Sequence, residues 1–382
     1  MRIGYMQKKL IALAITAAFA SAPAFADTSV YGVVDSGFGT VSNTVTQTNG
    51  TSSKTGLQAI NFSQLWTTRF GIKSSEDLGN GKKLTAVVET NIAATNPMSD
   101  SQWGKIVDGS HATPVVVGNA STASTATTLG DRVLDLALDL GQGTTILVGK
   151  MSSPLRNISY GYDAFYGSNL VGNLVTMDPS LTARAVAAGV AQNFGAVTAT
   201  LAALDNTTTA DGSPDNKHGN GFEATATFKQ DALAVSGGYR STKVGSTTEV
   251  TTKDLILGAS FDFGMAKLYG QFANVKVDSS ASATALDSGK RTYETLGVNV
   301  PFTSTLAGYV QTSFGKNEMV TLAGTAADKR NTSAYAVGVK YDLSKNTSAY
   351  ADVGSAKLDA GTVSGAIGSK VDQVAVGLVH SF

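Results

Sequence analysis

The chain of 382 residues carries 29 basic and 29 acidic side chains, and only 15% of its residues are charged. It has 41 glycines and no cysteine, so a disulfide framework is excluded and stability must come from size, closure or burial. The charge balance gives no indication of a nucleic-acid partner.

Residues 1–26 are predicted to form a secretory signal peptide. Arg2, Lys8 and Lys9 precede the apolar run LIALAITAAFA, and the small residues of AFA at 24–26 are suited to cleavage. We therefore expect an exported protein with a single domain over residues 27–382. Without the three basic residues of the signal, 26 basic side chains stand against 29 acidic ones, a formal charge of −3.

Beyond residue 27, apolar and polar residues alternate with the period of β-strands. In VLDLALDL, the leucines from Leu134 to Leu140 share one parity, whereas Asp135 and Asp139 share the other. No apolar run after the signal approaches the ~18 residues that indicate a transmembrane helix. The pattern predicts an all-β chain.

Short and long connections alternate along the whole chain. Seven short turn signals, from SEDLGNGKKL to YDLSKNTS, are separated by longer Ser-, Thr-, Gly- and Asn-rich stretches, of which the first is 42–58 and the third 152–181. Seven hairpins with one further strand at each end predict a 16-stranded antiparallel barrel with short turns on one rim, as in outer-membrane barrels. A soluble β-sandwich or solenoid is the alternative, but a polar face repeated over many strands favours a water-filled lumen.

Three segments resemble a known family. DTSVYGVVDSGFG at 27–39, TTRFGIKSSEDLGNGKKLTAVVET at 67–90 and the final AVGLVHSF resemble the general-diffusion porins of Gram-negative bacteria, especially those typical of betaproteobacteria. The resemblance implies a homotrimer of 16-stranded transmembrane β-barrels in the outer membrane, among its lipid and lipopolysaccharide. Each barrel would pass ions and small hydrophilic solutes passively, without a cofactor, through a lumen narrowed by an inward-folded third loop.

The resemblance also implies a role for Phe382. The alternating run VDQVAVGLVHSF ends on this aromatic residue, which in such porins is recognised by the barrel-assembly machinery. The alternative is that Phe382 is an ordinary strand end.

Acidic residues of the third loop are candidates for the pore constriction. By resemblance, this loop supplies acids that face basic residues of the barrel wall. Asp163 is the first candidate and Asp178 the second. The alternative for Asp163 is a solvated acid in a turn.

Basic residues of the wall are the matching candidates. Arg69 and Lys73 are predicted to face the lumen, because Trp66, Phe70 and Ile72 take the opposite parity. Three more candidates follow from family position only, since they share the parity of apolar neighbours near strand ends and could instead extend to the membrane rim. They are Arg132, Lys150 and Arg184.

Further charges on lumen parities have mixed signs, which predicts weak ion selectivity. They are Asp35, Lys83, Glu89, Asp135, Asp139, Arg240, Arg291 and Lys340. The strand after the third loop holds small residues at 183–191, which gives no support for a strongly basic wall.

Other function classes have less support. A barrel enzyme needs a nucleophile with a base, yet the histidines are His111, His218 and His380, two in long loops and one on an outward parity. The same scarcity gives no metal-ligand cluster. An adhesin or structural barrel would need a filled lumen, whereas the inward positions are small. A substrate-preferring channel remains the closest alternative to a general one.

Overall fold

The computed structural model describes residues 26–46, 49–60, 65–92, 129–165, 167, 171–206, 219–244, 249–279, 288–320, 327–360 and 368–382. The predicted signal peptide lies outside these ranges apart from Ala26, so it stays a prediction. Among the described residues, no helix is long and apolar enough to cross a membrane.

The described residues form seventeen strands and three short helices. The strands are β1 (Ala26–Thr46), β2 (Ser52–Ile60), β3 (Arg69–Gly79), β4 (Lys82–Asn91), β5 (Val133–Asp139), β6 (Thr144–Ser152), β7 (Arg184–Asn193), β8 (Val197–Asn206), β9 (Gly219–Gln230), β10 (Leu233–Val244), β11 (Val250–Asp262), β12 (Lys267–Ser279), β13 (Ser288–Pro301), β14 (Leu306–Val320), β15 (Ala327–Asp342), β16 (Thr347–Leu358) and β17 (Gly368–Ser381). The helices are α1 (Pro154–Gly161), α2 (Leu174–Met177) and α3 (Pro179–Thr182).

The strands pair antiparallel in chain order and close into a barrel. β17 pairs with β1 from Val33↔Ser381 to Thr46↔Gly368. β2 and β3 both pair with β1, β2 with its second half and β3 with Ala26 to Val33. The two therefore occupy one position of the wall, and seventeen strands fill sixteen positions. This confirms the predicted 16-stranded barrel.

The two faces of the wall differ in polarity. On β11, Leu255 and Leu257 are exposed on the outside, while Asp254 and Ile256, on the other parity, are buried inside. This alternation is the one expected when the outer face meets lipid and the inner face borders a polar lumen.

The short turns lie where the turn signals predict them, but the first long connection is mostly strand. At the first hairpin, Gly79, Asn80 and Gly81 take the positive φ angles that this turn requires. The predicted loop 42–58 is mostly β-ladder, because β1 continues to Thr46 and β2 begins at Ser52. Its Ser- and Thr-rich composition resembles a loop, yet threonine and valine sustain a strand well.

Just before β3, at Leu65 and Trp66, the chain turns into the lumen. The backbone N–H groups of Leu65 and Trp66 both donate to Oδ2 of Asp35 at 2.7 Å, and the hydroxyl of Tyr350 donates to Oδ1. Trp66 lines cavities inside the barrel. Its predicted outward position is therefore wrong, because the parity count ran through residues that do not belong to the ladder.

The described residues of the loop between β6 and β7, at 153–165, 167 and 171–183, fold into the barrel as predicted for the third loop. Its helix α1 packs against β9, β10 and β11, and α2 packs against β12, β13 and β14. Ser153 caps α1 by accepting from the N–H of Arg156, and Pro154 occupies the first turn, where no backbone donor is needed. The lumen is thereby narrowed to the space between this loop and the opposite wall.

The seam of the barrel ends on Phe382. Its N–H donates to the carbonyl of Gly32 at 3.1 Å, and the N–H of Gly32 donates to its carbonyl at 3.0 Å. The aromatic ring covers Gly32, where a Cβ atom would overlap it. The absence of a side chain at Gly32 thus makes room for the ring on the outer face.

We expect Phe382→Ala to weaken the seam, because it uncovers Gly32 and removes a half-buried aromatic ring. Burial of that ring stabilises the folded barrel by about 1 kcal/mol. The measurement is the urea midpoint and the fraction of heat-modifiable barrel after refolding in detergent. Phe263→Ala, which removes a similarly exposed ring away from the seam, is the control. Equal loss in the two variants would contradict this role.

Candidate functional site

Wall side chains hold the third loop at several points along its length. The N–H groups of Leu155, Ala164 and Val171 donate to the side chains of Glu223, Gln311 and Gln373, respectively. Backbone donors inside a barrel need such partners when water is excluded. The path of the loop is therefore determined by wall residues far apart in sequence.

The structure places Asp163 within the third loop and not at the aperture. Only 2% of its surface is exposed. Its carboxylate accepts from the N–H of Phe165 at 2.7 Å and from side chains of Asn173 and Thr176. Burial raises the pKa of Asp163, and these hydrogen bonds act in the opposite direction. The expectation of an aperture acid is thus corrected: the carboxylate organises the loop.

Asp178 is also buried, and it attaches the loop to the wall. It accepts from Nε of Arg291 at 2.8 Å and from the hydroxyl of Tyr293 at 2.9 Å, both on β13. Its other oxygen caps α3 by accepting from the N–H of Ser180. Asp178 therefore does not line the aperture either.

On the part of the wall opposite the third loop, basic residues of β3 and of the segment before β5 meet around one glutamate. Arg132 donates from Nε to Glu89 at 2.6 Å, and Nε of Arg69 lies 3.4 Å from the other oxygen of the same carboxylate. Asn91 accepts a second bond from Arg132, and the hydroxyl of Tyr31 donates to Glu89. Arg69 thus faces the lumen, as its parity predicts.

The third loop brings a third arginine to this cluster. Arg156 lies over the ring of Tyr160, 4.0 Å from its centre, and donates to the carbonyl of Thr182. Arg156 was not among the sequence candidates. The Ser153–Pro154 pair signals a helix start, and residues 156 and 160 of that helix share one face, so this signal was available.

A cavity of about 360 Å³ lies between the loop and the wall at this point. We call it the aperture cavity; its lining includes Trp66, Arg69, Glu89, Arg132, Arg156 and Tyr160. Three guanidinium groups therefore face one carboxylate. Asp163 and Asp178, the acids expected at the aperture, hold the loop instead.

The remaining basic candidates take three different positions. Lys73 pairs with Ser29 on the inner parity, towards the short-turn rim. Lys150 pairs with Leu134, an exposed residue of the outer face, so the structure does not bring Lys150 into the cluster. Arg184 begins β7, close enough to Arg132 and Arg156 for the positive charges to repel one another. Its buried Nε has no hydrogen-bond partner among the described residues.

No group of three or more His, Cys, Asp or Glu side chains suited to a metal ion occurs in the described part of the chain. His380 lies on β17 and bonds to the hydroxyl of Thr347. His111 and His218 lie outside the described residues.

Comparison with known proteins agrees with this architecture. A family model described as "Gram-negative porin" matches residues 11–361. The major outer membrane protein P.IB of Neisseria gonorrhoeae is 30% identical over 172 residues, which are 44% of this chain and 39% of that protein. The matched region thus spans about two fifths of that relative.

Solved structures show the same fold. An anion-selective porin from Comamonas acidovorans has a TM-score of 0.64 at 19% identity, over 94% of this chain and 100% of that one. A trimer form of OmpT from Vibrio cholerae has 0.60 at 12%, over 94% and 100%. Salmonella typhi OmpF in complex with daunomycin has 0.56 at 14%, over 93% and 97%. At these identities the likeness establishes the barrel fold alone.

We expect Asp178→Ala to release the third loop, because it leaves the largely buried Arg291 without its carboxylate. Breaking a buried ion pair on one side costs about 3–5 kcal/mol. The measurement is the rate of proteolytic cleavage within the loop in detergent-solubilised protein. The control is Asp359→Ala, which removes the acid of the exposed Lys357–Asp359 pair, and we expect almost no change there. A loop that stays protected in Asp178→Ala would contradict the anchoring role.

Proposed function

Because the chain belongs to the Gram-negative porin family, we propose that it forms a water-filled outer-membrane channel that passes ions and small hydrophilic solutes passively and prefers anions. The observation that carries the proposal is the aperture cavity, where Arg69 and Arg132 contact the carboxylate of Glu89 and Arg156 lines the same space. Family and fold indicate a channel and not an enzyme.

The preference follows from how charge acts in a narrow passage. Fixed charges in a cleft with low-dielectric walls focus their field, so a net positive aperture concentrates anions and repels cations. Glu89 keeps this attraction moderate, which favours exit of the bound ion because conduction requires weak binding. The sequence pattern predicts weak selectivity from mixed lumen charges; this proposal departs from it because three arginines and one carboxylate line the aperture cavity.

Several acids that face the lumen are already engaged by partners. Asp35 binds the inward segment before β3, and Asp163 and Asp178 bind within the third loop and to β13. Asp254 accepts two bonds from Arg240 at 2.8–2.9 Å. These carboxylates are buried among their partners, which supports a field at the aperture that is set by the arginines.

We propose three further properties of the intact protein. Residues 1–26 act as the export signal, and the barrel-assembly machinery recognises Phe382, whose ring completes the seam. The barrel assembles as a homotrimer; a trimer form is described for its structural neighbour OmpT of Vibrio cholerae.

We also propose that lipopolysaccharide binds the outer face through lysines near the long-loop rim. Lys253, Lys276 and Lys290 lie directly opposite one another on β11, β12 and β13. Like charges in this arrangement repel. Asp278 pairs with Lys276 at 3.1 Å, whereas no described residue forms an ion pair with Lys253 or Lys290. A phosphorylated headgroup would relieve the repulsion.

A groove of about 550 Å³ adjoins this row on the outer face. Lys290 and Lys316 line it together with Glu294, Glu318 and the exposed ring of Phe314. Phe261 ends the outward apolar run of β11 on the short-turn side. Lys253 lies eight residues before Phe261, about 26 Å away along the strand. The lysines thus stand at the edge of the apolar band, where the headgroups of the outer leaflet lie.

We expect Arg132→Gln to lower the ratio of chloride to potassium permeability about three- to tenfold, because one charge beside the ion path is removed. We expect Glu89→Gln to raise the ratio. The measurement is the reversal potential of single channels in a potassium chloride gradient. Lys150→Gln, on the outer face, is the control and is expected to match the unmodified protein. An Arg132 variant that also matches it would contradict the proposal.

We expect Lys290→Gln combined with Lys316→Gln to weaken lipopolysaccharide binding by about fivefold for each lysine, since each contributes about 1 kcal/mol to attraction of an anionic surface. The measurement is lipopolysaccharide retained per barrel after detergent washing. The control is Lys82→Gln combined with Lys345→Gln, both at the short-turn rim. Equal retention in both double variants would argue against the groove.

A further inference from the structure

A second cavity, of about 720 Å³, lies inside the barrel below the aperture on the short-turn side. We call it the vestibule. Its lining includes the apolar side chains of Leu65, Trp66, Phe165, Tyr309 and Val379. The other lining residues are mostly polar. The passage of a channel for hydrophilic solutes needs no apolar surface, and apolar and aromatic side chains beside placed polar groups are typical of a ligand site.

Two separate structural devices place this apolar surface in the lumen. The two backbone bonds to Asp35 turn Leu65 and Trp66 inward. The tip of the third loop contributes Phe165, whose ring lies 5.5 Å from that of Tyr309 on β14. Neither device is needed to close the barrel.

Trp66 joins the two cavities, since it lines both. The guanidinium of Arg69 lies 5.5 Å from the centre of its ring, within the range of a cation–π contact. A carboxylate at Arg69 and Arg132 would therefore have an aromatic surface directly beside it. This is the arrangement that a molecule with an anionic head and an apolar body needs.

The charged lining of the vestibule fits the same class of ligand. Lys340 and Lys345 are present with one acid, Asp342. Asp342 already pairs with Lys340 at 3.2 Å and accepts from the hydroxyl of Ser348. Among the described residues that line the vestibule, there is thus no acid that is free of a partner and would repel an anion.

We propose that the aperture and the vestibule together form a binding site for aromatic carboxylates, with the carboxylate at Arg69 and Arg132 and the ring against Trp66. The channel then favours such anions over hydroxylated carboxylates of similar size. This inference rests on the proposed anion preference and adds a substrate class to it.

The test is inhibition of the chloride current by benzoate or by quinate, a hydroxylated ring carboxylate, in planar bilayers. We expect benzoate to block at a lower concentration than quinate. Trp66→Ala should raise the half-blocking concentration of benzoate about three- to tenfold, as loss of an aromatic contact predicts, and leave that of quinate unchanged. Trp66→Phe, which keeps a ring, should retain most of the benzoate block. Phe263→Ala, outside the lumen, is the control for removal of an aromatic ring.

The outcomes separate the two proposals. Equal block by benzoate and quinate, or a benzoate block unaffected by Trp66→Ala, would overturn the aromatic site while the chloride preference stands. A channel that favours potassium over chloride would instead refute the proposed function. If Trp66→Ala fails to fold, the unmodified protein and Trp66→Phe still decide the matter: without preferential benzoate block in both, the inference is wrong.

Discussion

The narrowing of the lumen depends on one constraint: chain that enters a barrel must find partners for its backbone N–H and C=O groups. Two described parts of the chain enter here, those of the third loop and the residues Leu65 and Trp66 just before β3. Glu223, Gln311 and Gln373 receive the first, and Asp35 receives the second. Because these bonds come from opposite parts of the wall, the aperture is held from several sides and its shape is a property of the whole barrel.

The same constraint decides which charges act on a passing ion. A carboxylate that accepts several hydrogen bonds from a loop is withdrawn from the ion path, as Asp163 and Asp178 are. Guanidinium groups bind their partners through one edge and still present positive charge to the lumen. Acids therefore hold the loop in place while arginines face the aperture, and on the proposed function a chain with equal numbers of acidic and basic residues acquires a positive constriction.

Much of the fold was predictable from local pattern, and the site was predictable only in part. Turn signals and alternation gave the strand count, and parity gave the lumen side of Arg69, because both depend on a few neighbouring residues. Trp66 was misplaced because parity has no meaning across a segment that leaves the ladder. The role of Asp163 was missed because burial of a loop acid depends on the three-dimensional path of the loop. Arg156 carried a readable helix-start signal, but its position opposite Glu89 follows only from the folded barrel.

The central claim is that arginines, and not third-loop acids, set the field at the constriction. The most direct test is anomalous diffraction from crystals of the protein soaked in bromide and, separately, in rubidium. The account predicts bromide between Arg69, Arg132 and Arg156, with no rubidium in the aperture. Rubidium bound in the aperture beside Asp163, with bromide absent from the arginines, would contradict it.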